Sequence, residues 1–311
     1  MNHKILADKI IVIRPSNFGF NESTAFDNKY QNSDKQGVLD IDIAKKAHLE
    51  FAAFVDVLKK AGITVLEFLD DNDQYTPDSI FPNNWISTHL DGSIWIYPML
   101  CPNRRAERRQ DIIDYLKSNF NVKNIFNETD VYERNCQFLE GTGSMVLDRK
   151  NKIAYASISK RTNEDLFNTW CQKMGYRPVL FESKDGDRMI YHTNVLMSVC
   201  ESMVFICLDA IIHDHQKKML ISLFRDTNKE IITISKHQMN SFLGNVLELK
   251  NNQNESILVM SSSAFHALTR PQKTNILKKC QIIHSPLNTI EYFGGGSARC
   301  MIAEIFLEPH L

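Results

Sequence analysis

The sequence carries almost no excess charge. Its 36 lysines and arginines nearly balance 37 aspartates and glutamates, for a formal net charge of −1. That balance gives no electrostatic reason to expect a nucleic acid or an anionic membrane as partner. Arg104, Arg105, Arg108 and Arg109 form the one locally basic run, and Glu107 and Asp111 interrupt it. No apolar run approaches the ~20 residues that a membrane span requires. The opening residues, Met1 to Asp8, lack the apolar core of a secretory signal. The seven cysteines are odd in number and contain no CxxC pair. A disulfide framework and a zinc site are both disfavoured by that pattern, and reduced thiols in a cytoplasm are expected. No stretch rich in proline, serine or glycine separates the chain into halves.

What is present is an ordinary globular composition, 43% hydrophobic and 23% charged. A length of 311 residues suits one large domain or two ordinary ones. Without a linker, residues 1–311 read as a single catalytic domain. A recurring order of events organises it: a polar turn, an apolar strand, a short gap, a second strand, a helix and a returning strand. The first unit has a strand at Ile10–Arg14 and a helix at Ile43–Ala61, with apolar residues at Ala47, Phe51, Phe54, Val55 and Leu58 in helical spacing. Gly62 is its expected C′ residue. The second unit has a hairpin at Asp91-Gly92 and a helix predicted over Arg105–Phe120. The third helix is predicted to start near Thr162-Asn163 and stop at Gly175. The fourth reaches about Arg225, and the fifth runs Pro271–Lys279.

One polar residue from each motif marks the repeat: Asn84, Glu140, His192, Asn245 and Cys300. The spacing is roughly 50–55 residues, within the range of repeat architectures. Repeats that need neighbours to bury their strands predict a closed ring, an α/β propeller of five ββαβ blades with pseudo-fivefold symmetry. Equivalent turns then converge at one end. Convergence would join Cys300, after Gly294-Gly295-Gly296, with His192 and Glu140. A thiol nucleophile, a general acid/base and an orienting carboxylate make a covalent-catalysis set. A glutamate between Phe138-Leu139 and Met145-Val146 would be costly to bury unpaired.

These motifs resemble the arginine deiminase superfamily, the guanidino-modifying enzymes of the pentein fold. The resemblance covers nearly the whole chain. It is carried by Glu140-Gly141, by His192-Thr193-Asn194, by the glycine-rich stretch ending in Cys300, and by Ser159-Lys160-Arg161-Thr162-Asn163. The last is similar to a segment of the dimethylarginine-hydrolysing members. The resemblance implies that Cys300 attacks the central carbon of a guanidino or ureido group, that His192 serves the leaving amine and then water, and that Arg161 holds a substrate α-carboxylate. It implies no cofactor and no metal.

The departures concern charge. Members that act on guanidinium usually hold it with two aspartates. Here the second-module position reads Asn83-Asn84, and Asn194 stands two residues after His192. An amide offers one acceptor and two donors, which suits a neutral ureido group. Two lost charge-assisted contacts amount to about 1.5–3 kcal/mol each. The substrate expected is therefore citrulline, as in the citrulline-hydrolysing branch, with release of ornithine, CO2 and ammonia. Asp78 is a nearby carboxylate that would weaken this argument. Asn21, Glu22, Thr24 and Asn28 are candidates for the amino-group side or for a cover. Arg104 and Arg105 are candidates to assist the carboxylate. The alternatives are a guanidino hydrolase or amidinotransferase, and an inert propeller that only binds, as in a ribosome anti-association factor. The expected partner is a small amino acid, with no nucleic acid and no membrane, and a homodimer stays open.

Overall fold

The computed structural model describes residues 5–34, 37, 39–70 and 74–310. Five three-stranded sheets share one connectivity among them. In the second module, Ile86–Thr88 pairs antiparallel with Ser93–Ile96, which pairs parallel with Asn124–Phe126. The third module repeats this with Met145–Asp148, Ile153–Ser157 and Arg177–Phe181. The fourth uses Met197–Val199, Met203–Ile206 and Glu230–Thr233. The fifth uses Leu247–Lys250, Ser256–Ser261 and Gln281–Ser285. The first sheet draws on both ends of the chain. Lys9–Arg14 pairs parallel with Thr64–Leu69 and antiparallel with Ala303–Ile305. A parallel return needs a crossover, and each module supplies a helix for it. Middle strands are covered on both faces, so they read as continuous apolar runs: Met203, Val204, Phe205 and Ile206 are all fully buried.

The first helix, Asp40–Lys60, buries Ile43, Ala47, Phe51, Phe54, Val55 and Leu58. That stripe is the one its spacing predicts. Apart from Ala47, each such side chain contributes about 1.5–3 kcal/mol when removed from water. Gly62 follows at φ +82°, a left-handed position that a side chain would strain. The helix predicted over Arg105–Phe120 is instead two: Pro102–Arg105 and then Gln110–Asn119. The break turns Arg104 inward, where Glu107 caps its guanidinium at 2.8 Å. Before Arg270–Leu277 lies a second short helix, Ser262–Ala267. A small hairpin of Lys184–Asp185 with Arg188–Met189 was also not expected from pattern.

Each module enters its first strand through one helical turn closed by a bond from residue i+3 to residue i. The donors are Asn84 N, Gly143 N, Val195 N, Asn245 N and Cys300 N, and the acceptors are the carbonyls of Phe81, Glu140, His192, Phe242 and Ser297. The repeat is real, but the five marker residues occupy two registers. Asn84, Asn245 and Cys300 lie three residues into the turn. Glu140 and His192 open it. The sequence spacing of 50–55 residues averages over this offset.

Successive turns and strands are tied together. Thr142 Oγ1 donates to Asn83 O at 3.3 Å and Thr193 Oγ1 to Ser144 O at 2.6 Å. Asn245 Nδ2 donates to Asn194 O at 3.0 Å, Arg299 N to Asn245 O at 3.4 Å, and Phe306 N to Thr88 Oγ1 at 2.8 Å. These bonds hold the turns from all five modules within reach of one another. No helix among the described residues is long and apolar enough to cross a membrane.

Candidate active site

Glu140 and His192 occupy matching turn-opening positions in neighbouring modules, and their side chains meet. His192 Nε2–H donates to Glu140 Oε2 at 2.8 Å. That bond leaves Nδ1 as the acceptor nitrogen of the neutral ring. Arg161 Nη1 reaches the same carboxylate oxygen at 3.4 Å and Arg104 Nη1 at 3.8 Å. Glu140 is fully buried. Burial alone would push its carboxyl up, but Arg161, His192 and Arg104 together hold it well below the ordinary range. Burial lowers His192 below its usual value, against the opposing pull of Glu140. The resting imidazole is thus neutral at neutral pH and able to accept a proton.

Cys300 is held differently. Its backbone N–H donates to Asn245 Oδ1 at 3.3 Å, while Asn245 Nδ2 donates back to the Sγ at 3.1 Å. This two-point clasp fixes which end of the amide faces the sulfur. Asn194 Nδ2 donates to the same sulfur at 3.3 Å. Two amide donors aimed at one thiol stabilise negative charge developing there. The glycines act by absence of bulk. A Cβ on Gly296 would lie 2.8 Å from the Phe81 ring, and one on Gly143 would lie 2.4 Å from Asn84 Nδ2 and 2.8 Å from the His192 ring.

Asp78, Asn84, Arg104, Arg161, His192 and Cys300 line one cavity. Five of the eight side chains singled out from sequence, Asp78, Asn84, Arg161, His192 and Cys300, therefore share one space, and Glu140, Asn83 and Asn194 do not line it. Asn83 is buried away from it, accepting from Asn84 Nδ2 at 3.1 Å. Asn194 touches the sulfur but lines a separate chamber of about 40 Å³ behind it, with Ser198, Glu248 and Arg299. Asn84 is less free than expected, because its carbonyl accepts from Arg104 Nη1 at 2.9 Å. Asp78 Oδ2 accepts from Asn21 Nδ2 at 2.7 Å, while its Oδ1 is buried with no partner. Burial raises the Asp78 carboxyl, against the pull of Arg104. Arg105 turns outward, to Met99 O and Glu133, and Glu22 is exposed. Neither reaches the cavity.

The polar stretch of the first module covers the site. Asn28 Nδ2 donates to Gly294 O at 3.2 Å, Asn32 N to Tyr292 O at 2.7 Å, and Asn103 Nδ2 to Asn21 Oδ1 at 2.9 Å. Asp27 forks onto Arg161, through Nε at 2.8 Å and through Nη2. Beneath this cover the cavity measures about 10 Å³.

A family model of eukaryotic N,N-dimethylarginine dimethylhydrolase matches residues 14–307, nearly the whole chain. The chain belongs to this family. It is a C–N hydrolase of the arginine deiminase superfamily, which sets aside an inert binding propeller. No curated protein matches it in sequence. Among solved structures, the substrate-bound N-terminal domain of ArgZ, an arginine dihydrolase of the ornithine-ammonia cycle in cyanobacteria, superposes with a TM-score of 0.73. It is 14% identical and covers 97% of this chain and 99% of that one. Unliganded AgrE gives 0.72 at 16% identity, over 95% of this chain and 39% of its own length. The dimethylarginine hydrolase of Pseudomonas aeruginosa, complexed with citrulline, gives 0.63 at 14% identity, over 96% and 100%. Identities this low establish a shared fold. Among the described residues of this hydrolase, no group of three His, Cys, Asp or Glu side chains is placed to hold a metal ion.

Sequence reasoning assigned no chemistry to Asn245, Asp27 or Tyr191. Asn245 was the marker of its repeat, and its shared register with Cys300 was the available signal. Asp27 stood inside the polar stretch without distinction. Tyr191 precedes the histidine, donates to Gly295 O at 2.8 Å and packs its ring 4.7 Å from the Arg161 guanidinium.

Proposed function

We propose that this hydrolase acts on the ureido carbon of citrulline through a covalent S-carbamoyl-cysteine. The observation that carries the reading is the character of the groups around the thiol. Cys300 is flanked by the amides of Asn194 and Asn245, and Asn84 lines the cavity, where Asp78 is the one carboxylate among the lining side chains. Glu140 is committed to His192 and two arginines. A cation would find little fixed negative charge here, and a neutral urea avoids leaving a buried charge unpaired.

In this mechanism His192 takes the thiol proton as the sulfur attacks the ureido carbon. The bond from that carbon to the ornithine nitrogen breaks, and His192 returns the proton to the departing amine. His192 then draws a proton from water, which adds to the S-carbamoyl carbon. The C–S bond breaks and carbamate leaves, decaying to CO2 and ammonia. Glu140 keeps the imidazole oriented and stabilises its charged form. Arg161 and Arg104 are the candidates for the α-carboxylate. We further propose that residues 1–311 form one domain, with the five modules closing into a five-bladed propeller. The bonds between successive turns support that closure.

One observation favours a second reading, in which arginine is also attacked. The buried, unpartnered Oδ1 of Asp78 lines the cavity and suits a guanidinium donor. Product analysis by mass spectrometry, with L-citrulline and L-arginine side by side, separates the two. Ornithine and ammonia from citrulline alone, lost in Cys300→Ala, support the ureidase. Citrulline formed from arginine means that Asp78 serves as counter-ion and sinks the argument from the asparagines.

A further inference from the structure

Arg161 is the candidate carboxylate clamp, yet its guanidinium is already occupied. It is buried, with 1% of its surface exposed. Nε and Nη2 fork onto the two oxygens of Asp27, Nη1 faces Glu140, and Nη2 also reaches Thr24 O at 3.4 Å. A fork of parallel N–H bonds is the arrangement that a free carboxylate would take. The cavity of about 10 Å³ holds no more than about one water. An amino acid therefore enters only if the covering segment leaves. Among the described residues, Asp27–Arg161 is the one ion pair between that segment and a cavity-lining side chain. Lys29 pairs with Asp185, away from the cavity.

We propose that Asp27 is a built-in competitor for the substrate carboxylate, and thereby a specificity-determining residue. Its carboxylate occupies Arg161 and holds the first-module segment against the site. A ligand with its own carboxylate displaces Asp27 and inherits the fork. A ligand without one leaves Arg161 paired and gains nothing from opening the site. The inference rests on the reading that the substrate is a ureido amino acid bound at Cys300. Competition also has a definite cost: part of the affinity of Arg161 for substrate is cancelled by the contact it replaces.

The test is the affinity for L-citrulline of Cys300→Ala against Cys300→Ala with Asp27→Asn, measured by calorimetry. Asparagine keeps the shape and removes the charge. A Kd about tenfold lower in the double variant is expected. An unchanged or higher Kd, or no binding to either, overturns the proposal. In the Cys300-containing enzyme, Asp27→Asn lowers KM for citrulline while kcat changes little. It also raises the preference for citrulline over its decarboxylated analogue. A fall in kcat at constant KM would make Asp27 a positioning residue for Arg161 and refute competition. Wild type that prefers the decarboxylated analogue refutes it too. Because binding is read without turnover, citrulline that binds more tightly to the double variant but is never hydrolysed would sink the ureidase reading and leave the role of Asp27 standing.

Discussion

The two halves of the site are built from opposite materials. Around His192 the supports are ionic: Glu140 at 2.8 Å, with Arg161 and Arg104 behind it. Around Cys300 they are neutral, two amide side chains at 3.1 and 3.3 Å. The difference follows from the work asked of each. A base that changes charge during reaction gains from a fixed counter-charge nearby. If the substrate is the uncharged urea proposed above, a sulfur that carries charge only briefly gains from oriented dipoles that leave no permanent charge facing it.

The contrast is broken most severely at the proposed nucleophile. Cys300→Ala should lose at least about 10⁴-fold in kcat/KM, since no neighbouring group replaces the attacking atom. Removing the ionic support comes next. Glu140→Gln should reduce kcat by about 10²–10³-fold. It should also move the acid limb of the pH–kcat/KM profile to lower pH, because the carboxylate raises the His192 titration and its loss lowers it further. A limb that moves upward or stays would refute the pairing as the source of tuning. The same variant has a stability signature. The depressed Glu140 carboxyl contributes stability above its ordinary value of 4.5, lost as pH falls through the folded value. Thermal melts of Glu140→Gln should therefore decline less steeply on the acid side.

The seam between the halves is Gly143. Gly143→Ala places a Cβ 2.4 Å from Asn84 Nδ2 and 2.8 Å from the imidazole. Activity is expected to fall by about 10²-fold for a displacement near 1 Å. Unaltered kinetics would mean that the turn adjusts without moving His192. The smallest effect is expected on the neutral side. Asn245→Ala removes one donor from the sulfur, about 1.5–3 kcal/mol or roughly 10–100-fold in kcat. Loss of reactivity toward a thiol-alkylating reagent should accompany it. A larger loss than that of Glu140→Gln would reverse the comparison.

Much of this was legible in the chain as written. Alternating and helical spacing located the strands and helices of the modules, because one face of each element must be buried. The glutamate, histidine and cysteine stood out because a buried carboxylate or imidazole between apolar residues needs a partner. The two registers of the turn were not legible. They depend on which carbonyl closes each turn, a detail that residue counting averages away. Nor was the splitting of the helix after Arg105. Helix propensity there is good, and only the burial of Arg104 against Glu107 and Asn84 overrides it.

By itself, then, the sequence located the modules and the candidate reacting residues, since these rest on local periodicity and on residue chemistry. The tertiary structure alone decided who serves whom. It joined Asp27 to Arg161 across 134 positions and Asn245 to Cys300 across 55. It also seated Ala303–Ile305 beside Lys9–Arg14. Such pairings are chosen by direction and distance after the chain has folded back on itself, and no spacing along the chain encodes them.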